Sequence, residues 1–179
     1  MRVFSVLASP RIKGNTSVVL KRFLEGVREN HSGVEERTAI LHEKSIRPCM
    51  ACDNCKTGPK VCVISDDMQQ LYREVEAADV IVLATPIYWW NMTAQLKTFI
   101  DRLYAMDFEK SFKGKRLVLL MTYGGEDPNS GAEIVEKSFR EICEFLSMEF
   151  TGKFGLCSEN PIELRERSLE EAYSLGRKL

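Results

Sequence analysis

Apolar positions along this chain come in two kinds of run. Residues 3–8 are continuously apolar, with Ser5 the only polar residue, and residues 80–84 and 117–121 repeat that character. Between them, apolar residues recur at three- and four-residue intervals. The sets are Leu20, Phe23, Leu24 and Val27; Met68, Leu71, Tyr72 and Val75; Leu96, Phe99, Ile100 and Leu103; and Val135, Phe139, Ile142 and Leu146. Continuous apolar runs predict strands buried on both faces, and the wider spacing predicts helices with one apolar face. Residues 37–41 and 149–154 predict two further strands. Asp66, with Gln69 three residues on, reads as a helix start, and Pro161 opens a last amphipathic helix to about Leu175.

Strands and helices in alternation argue a doubly wound α/β fold. Five strands fit a flavodoxin-like three-layer sandwich with a parallel sheet in the order 2-1-3-4-5, which places ligands at the carboxyl ends of strands 1 and 3. At 179 residues the chain is one domain's worth, residues 1–179, and shows no repeat or linker. One stretch breaks the pattern. Residues 42–65 form a long irregular insertion, and loops of that length in a compact domain are usually functional.

Three loops follow the buried strands. The first is Ser9-Pro10-Arg11-Ile12-Lys13-Gly14-Asn15-Thr16-Ser17. Backbone N–H groups at a helix start, with Ser and Thr hydroxyls, suit a phosphate. Arg11 adds a bidentate donor, and Gly14 permits a tight turn. The plain alternative is a turn with a helix cap, for which Asn15 or Thr16 suffices. The loop matches neither G-x-G-x-x-G nor a P-loop, which excludes dinucleotide and nucleoside triphosphate readings. The second loop, Thr85-Pro86-Ile87-Tyr88-Trp89-Trp90-Asn91, carries three successive aromatics able to stack on a flat heterocycle or to cover a partner subunit. In the third, Thr122-Tyr123-Gly124-Gly125-Glu126, paired glycines allow close backbone approach to a ligand.

The long insertion holds Cys49, Cys52, Cys55 and Cys62 within fourteen residues. Thiolates at C-x2-C-x2-C spacing can converge on one iron–sulfur cluster, and the excursion through Gly58 and Pro59 brings the fourth. The ferredoxin run ends in Cys-Pro, whereas this one ends in Cys62-Val63, so it is no ferredoxin domain. Zinc sites favour two separated C-x2-C pairs. Cluster, zinc and a metal-free flavin protein therefore all stay open on spacing alone. Twenty-five basic against 26 acidic residues leave a net charge of -1, which gives no footprint for nucleic acid or an anionic membrane. No apolar stretch reaches membrane-span length, and the first apolar run is too short for a signal-peptide core. The expectation is a cytoplasmic protein, where thiols stay reduced. Cys143, on the apolar face with Phe139 and Ile142, reads as a core thiol. Cys157 falls after the last strand. His31 and His42 read as solvated, and Lys97, Asp101 and Arg102 as surface or interface pairs.

Together, Ser9-x-Arg11-x-x-Gly14-Asn15-Thr16, the Thr85-Pro86-Ile87-Tyr88-Trp89 loop and Leu96-Lys97-x-Phe99-Ile100-Asp101-Arg102 resemble the NAD(P)H-dependent FMN reductase group of flavodoxin-like proteins. The four cysteines followed by Asp66-Asp67 resemble its iron–sulfur flavoprotein branch. The resemblance spans residues 3 to about 154. It implies FMN, its phosphate held by Ser9, Arg11, Asn15, Thr16 and Ser17, and its ring contacted by Pro86, Ile87, Tyr88, Trp89, Tyr123, Gly124 and Gly125. It also implies a [4Fe-4S] cluster on Cys49, Cys52, Cys55 and Cys62, a homodimer or homotetramer, and electrons from a ferredoxin-like donor rather than from NAD(P)H. The reading is a flavin-dependent redox enzyme that links a one-electron donor to a two-electron acceptor, with no general acid or base. The alternatives are a cluster-free NAD(P)H-dependent FMN or quinone reductase and a metal-binding redox sensor.

Overall fold

The computed structural model describes residues 1–58, 61–125, 127–160 and 162–179, the last group without the side chains of residues 162–164. Pro59, Glu126 and Pro161, singled out above, lie outside the described residues. Five strands, β1 (Arg2–Leu7), β2 (Glu35–Ile40), β3 (Val80–Pro86), β4 (Arg116–Tyr123) and β5 (Glu149–Cys157), form one sheet in the order β2-β1-β3-β4-β5. All four pairings are parallel. The helices are α1 (Asn15–Asn30), α2 (Asn54–Thr57), α3 (Met68–Ala77), α4 (Ala94–Arg102), α5 (Phe108–Phe112), α6 (Ser130–Phe145) and α7 (Ile162–Arg177). Among the described residues no helix is long and apolar enough to cross a membrane.

Successive side chains of a strand point to opposite faces, and here both faces are covered. Val3, Leu7, Val80, Val82, Ala84, Val118 and Leu120 meet α1 and α7 through Val19, Phe23, Val27 and Ala172. Phe4, Val6, Ile81, Leu83, Leu117 and Leu119 meet α3, α4 and α6 through Met68, Leu71, Leu96, Phe99, Val135 and Phe139. Each large side chain so buried contributes about 1.5–3 kcal/mol. That is why residues 80–84 of β3, in the middle of the sheet, read as an unbroken apolar run. Edge strand β2 begins two residues earlier than its apolar pattern, at Glu35. Its charged side chains stand in water while its backbone pairs with β1, and Arg2 grips Glu35 through two contacts of 2.8 and 2.9 Å.

The register aligns the strands' carboxyl ends. Leu7 pairs with Ala84, Pro86 with Thr122, and Tyr123 with Cys157. The loops after β1, β3, β4 and β5 therefore emerge along one edge, with β1 and β3 adjacent where the chain's winding reverses.

Candidate functional site

After β1, the chain turns through a loop braced by its own side chains. The buried Ser9 hydroxyl accepts the Arg11 N–H at 3.1 Å, Gly14 N–H donates to the Arg11 carbonyl at 2.9 Å, and the Ser17 hydroxyl donates to the Ile12 carbonyl. Thr16 is buried, its hydroxyl 2.7 Å from that of Thr122 at the end of β4. Gly14 is the residue before α1, and no side chain caps the helix. By contrast, Thr93, Asp107 and Asn129 cap α4, α5 and α6. The first N–H groups of a helix have no internal partner. Those of Asn15 and Thr16 thus stand ready for an anion at the positive end of the helix dipole, with exposed Arg11 opposite. The cleft they open onto, about 260 Å³, is lined by Ser9, Arg11, Asn15, Thr16, Pro86, Ile87, Tyr88 and Ser158 among others.

After β3 the aromatic loop doubles back on itself. Tyr88 and Asn91 exchange backbone hydrogen bonds of 2.8 and 3.1 Å. This puts Trp89 (φ 48°) and Trp90 (φ 59°) in left-handed conformations at the tip. Such a turn ordinarily takes Asn or Gly, and each non-glycine residue so placed costs about 1–2 kcal/mol. Trp89 is 90% exposed. Strained backbone carrying bare aromatic surface is a mark of a functional segment. The loop is moored on both sides: the Thr93 hydroxyl donates to the carbonyl of Ala8, just before the first loop, at 2.9 Å, and Ile87 N–H donates to the carbonyl of Thr122 at the end of β4 at 2.8 Å.

The third loop closes the other side. Tyr123 is buried and its hydroxyl donates to Asp127 at 3.2 Å. Burial, with the Asp127 carboxylate beside it, pushes the phenol up to about 12, so it stays neutral through the physiological range. Gly125 adopts φ 84°, which glycine meets without strain, and the Cys157 thiol donates to its carbonyl at 2.9 Å. Ile87, Tyr123 and Gly124 line both the first cleft and a second, of about 460 Å³, walled by Trp89, Trp90, Gly125 and Asn129. The two make one trough, with an anion site at one end and aromatic walls at the other.

The insertion forms a separate site. Ser45 and Asp67 exchange two hydrogen bonds across its neck, and the Asp66 carboxylate accepts from Arg47 N–H at 3.0 Å. Beyond the neck, Cys49, Cys52, Cys55 and Cys62 all line one cavity of about 160 Å³, together with Ile64, Asp101, Arg102 and Tyr104 among others. Ala51 and Asp53 take left-handed φ of 51° and 53°, which winds the C-x2-C-x2-C segment tightly. Burial pushes the Cys55 thiol up, Lys56 opposes this, and the neighbouring Cys62 and Cys49 add to the rise. Among the described residues no three His, Cys, Asp or Glu side chains are gathered at one point as metal ligands. No residue lines both this cavity and the trough.

The sequence profile of the NADPH-dependent FMN reductase family matches residues 1–156. The chain belongs to this family. An iron–sulfur flavoprotein from Archaeoglobus fulgidus is 32% identical over 180 residues, covering 100% of this chain and 79% of its own. Another, from Methanosarcina thermophila, is 30% identical over 182 residues, covering 100% and 93%. Within the family the chain groups with these relatives, and it is an FMN-dependent oxidoreductase. An FMN-dependent NADH-azoreductase from Bacillus anthracis, solved with FMN, superposes with a TM-score of 0.79 at 15% identity, covering 99% of both chains, which supports the shared fold.

In this family member, every residue expected at the flavin except Ser17 lines the trough. The Ser9 and Ser17 hydroxyls brace the first loop, and the Thr16 hydroxyl ties it to β4. The surface offered to an anion is accordingly backbone N–H, Arg11 and the exposed Asn15 side chain. Ser158 and Asn129 were missed from sequence. Ser158 directly follows β5, so the rule that ligands gather at carboxyl ends of parallel strands could have flagged it. Arg102 corrects the surface-pair expectation. It is 1% exposed and holds Asp66 in a contact of 2.7 Å. The spacing of Leu96, Phe99 and Leu103 marks α4's apolar face but cannot reveal that a loop folds over the neighbouring position. His31 departs from the solvated reading, since its Nε2 is buried without a partner among the described residues. Cys143 is buried as expected.

Proposed function

We propose that this enzyme carries FMN in the trough and a [4Fe-4S] cluster in the cysteine cavity, and passes electrons between a ferredoxin-like one-electron donor and a two-electron acceptor. The observation that carries this is that Cys49, Cys52, Cys55 and Cys62 all line one cavity. Two groups fit the residues present. A phosphate suits the uncapped start of α1 beside Arg11. A thiolate-ligated cluster suits a cavity with four cysteines and one buried N–H, Arg102 Nε, that lacks an acceptor among the described residues. When bound, FMN exchanges electrons singly or in pairs and the cluster exchanges one.

The chain's own residues bind and orient. Asn15 and Thr16 N–H groups with Arg11 hold the phosphate, while Ser9 and Ser17 keep that loop in shape. Pro86, Ile87, Tyr88, Trp89, Tyr123, Gly124 and Gly125 line the trough and would contact the ring. Cys49, Cys52, Cys55 and Cys62 ligate the cluster. Exposed Trp89, Tyr104 and Phe145 support a homodimer or homotetramer, because bare aromatic surface is covered by association. Reduced thiols suit the cytoplasm.

The test is anaerobic purification with assays for flavin, iron and sulfide. The expected result is one FMN and about four irons per chain, with Cys52→Ser losing the iron and keeping the flavin. Yellow, iron-free protein that oxidises NADPH would instead establish the cluster-free reductase. Stoichiometric zinc without flavin would establish the metal-binding sensor.

A further inference from the structure

Arg102 accounts for its donors unevenly. Its Nη1 donates to the Arg47 carbonyl at 2.8 Å and to Asp66 at 2.7 Å, and its Nη2 donates to the other Asp66 oxygen at 3.2 Å. Nε–H is buried and has no acceptor among the described residues. A guanidinium taken out of water with one N–H unmatched is costly, and such an orphan calls for a physical reason. Arg47 precedes the first cysteine and Asp66 follows the last, so one side chain from α4 pins both ends of the insertion. The guanidinium-bearing residue lines the cysteine cavity, whereas Asp66 does not. Cys62 lines that cavity with Arg102, and the Tyr72 hydroxyl donates to the Arg102 carbonyl at 3.0 Å.

We propose that Arg102 is a positioning residue for the metal centre: its fork clamps the neck of the cysteine loop, and its free Nε–H supplies a charge-assisted hydrogen bond to the sulfur of Cys62 or to a sulfide beside it. This rests on the cluster reading above. The bond requires an electron-rich sulfur acceptor, which a thiolate-ligated cluster provides. A fixed positive charge and a hydrogen bond at sulfur both favour the reduced, more negative cluster, so Arg102 raises its reduction potential. Asp66 serves the clamp and does not line the cavity.

The experiment compares Arg102→Met and Arg102→Lys with the wild type, each reconstituted anaerobically with iron and sulfide and titrated by electron paramagnetic resonance. The expected result is a tenfold or larger fall in the reduced-to-oxidised ratio at fixed potential for Arg102→Met, 59 mV for a one-electron couple. Arg102→Lys, which keeps the charge, should return the ratio toward the wild type. In iron-free protein both variants should be cleaved between residues 48 and 65 at least several-fold faster, because lysine has no fork to hold Arg47 and Asp66 together. If Arg102→Met does not fold, Arg102→Met with Asp66→Asn, which leaves no lone buried charge, is measured in its place. An Arg102→Met cluster that titrates within twofold of the wild type, or an iron-free loop in either variant as protected as the wild type's, overturns the proposal. Wild-type protein that takes up no iron overturns the cluster reading instead, and that is seen before any variant is compared.

Discussion

Arg11 stands exposed at the mouth of the trough, while Thr16, in the first turn of α1, is buried with its hydroxyl on Thr122. The two residues should therefore fail differently. Arg11→Ala is expected to weaken FMN binding by about 1.5–3 kcal/mol, the worth of a charge-assisted bond, with riboflavin affinity unchanged; flavin-fluorescence titration measures both, and equal losses for the two ligands would remove Arg11 from the phosphate. Thr16→Ala should instead lower stability. Cys143 offers a second residue-scale test. Burial pushes its thiol up to about 11 from an ordinary 9.0, so in native protein it stays protonated below that value. The thiolate is the reactive form. At pH 8 iodoacetamide should label Cys49 and Cys52 in metal-free protein and spare Cys143, with labelling of Cys143 appearing only on unfolding, as peptide mass analysis would record.

Among the elements, α6 is set against the aromatic loop by the absence of a side chain. A Cβ at Gly131 would lie 2.7 Å from Ile87 Cγ2 and 2.8 Å from Trp90 Cα. Backbone of the loop cannot yield as a flexible side chain could. Gly131→Ala should displace the Trp89–Trp90 tip and cost about 1–3 kcal/mol; a weaker quench of tryptophan fluorescence by FMN would report the displacement, and wild-type quenching at wild-type stability would refute it. Helix α3 shows how a local signal is redirected by its surroundings. Asp66 and Gln69 have the spacing of a capping pair, yet α3 starts at Met68. Asp66 accepts the Met68 N–H and the Arg102 guanidinium, and Gln69 turns to the Cys62 and Ile64 carbonyls at 3.3 and 2.9 Å. Burial raises the Asp66 carboxyl, but Arg102 and the N–H groups of Arg47 and Met68 outweigh it and hold the group below the usual range. Both residues have been drawn from capping into closing the insertion.

At the scale of the molecule, the layer formed by α1 and α7 depends on contact between backbones. A Cβ on Gly26 would sit 2.1 Å from the Tyr173 carbonyl oxygen, and one on Gly176 would sit 2.0 Å from that of Phe23. Gly26→Ala should force the helices apart and cost about 1–3 kcal/mol or more, lowering the denaturant midpoint; an unchanged midpoint would mean that α7 does not pack as described. The central strands and main helices were legible because burial on both faces demands an unbroken apolar run and burial on one face demands a three-and-four spacing. Both demands are written residue by residue, in Val80–Pro86 as in Leu96, Phe99 and Leu103. The trough was legible for a related reason. A parallel sheet of this winding delivers its loops to one edge, so Arg11, Tyr88 and Gly124 could be assigned to one place from strand order alone. Edge strand β2 was placed less well, since half of it faces water. What only the tertiary structure decided were the meetings between segments distant in the chain: Thr16 with Thr122, Gly131 with Trp90, and Arg102 with Arg47 and Asp66. A single side chain's partners depend on the packing of whole elements, and no periodicity along the chain encodes them.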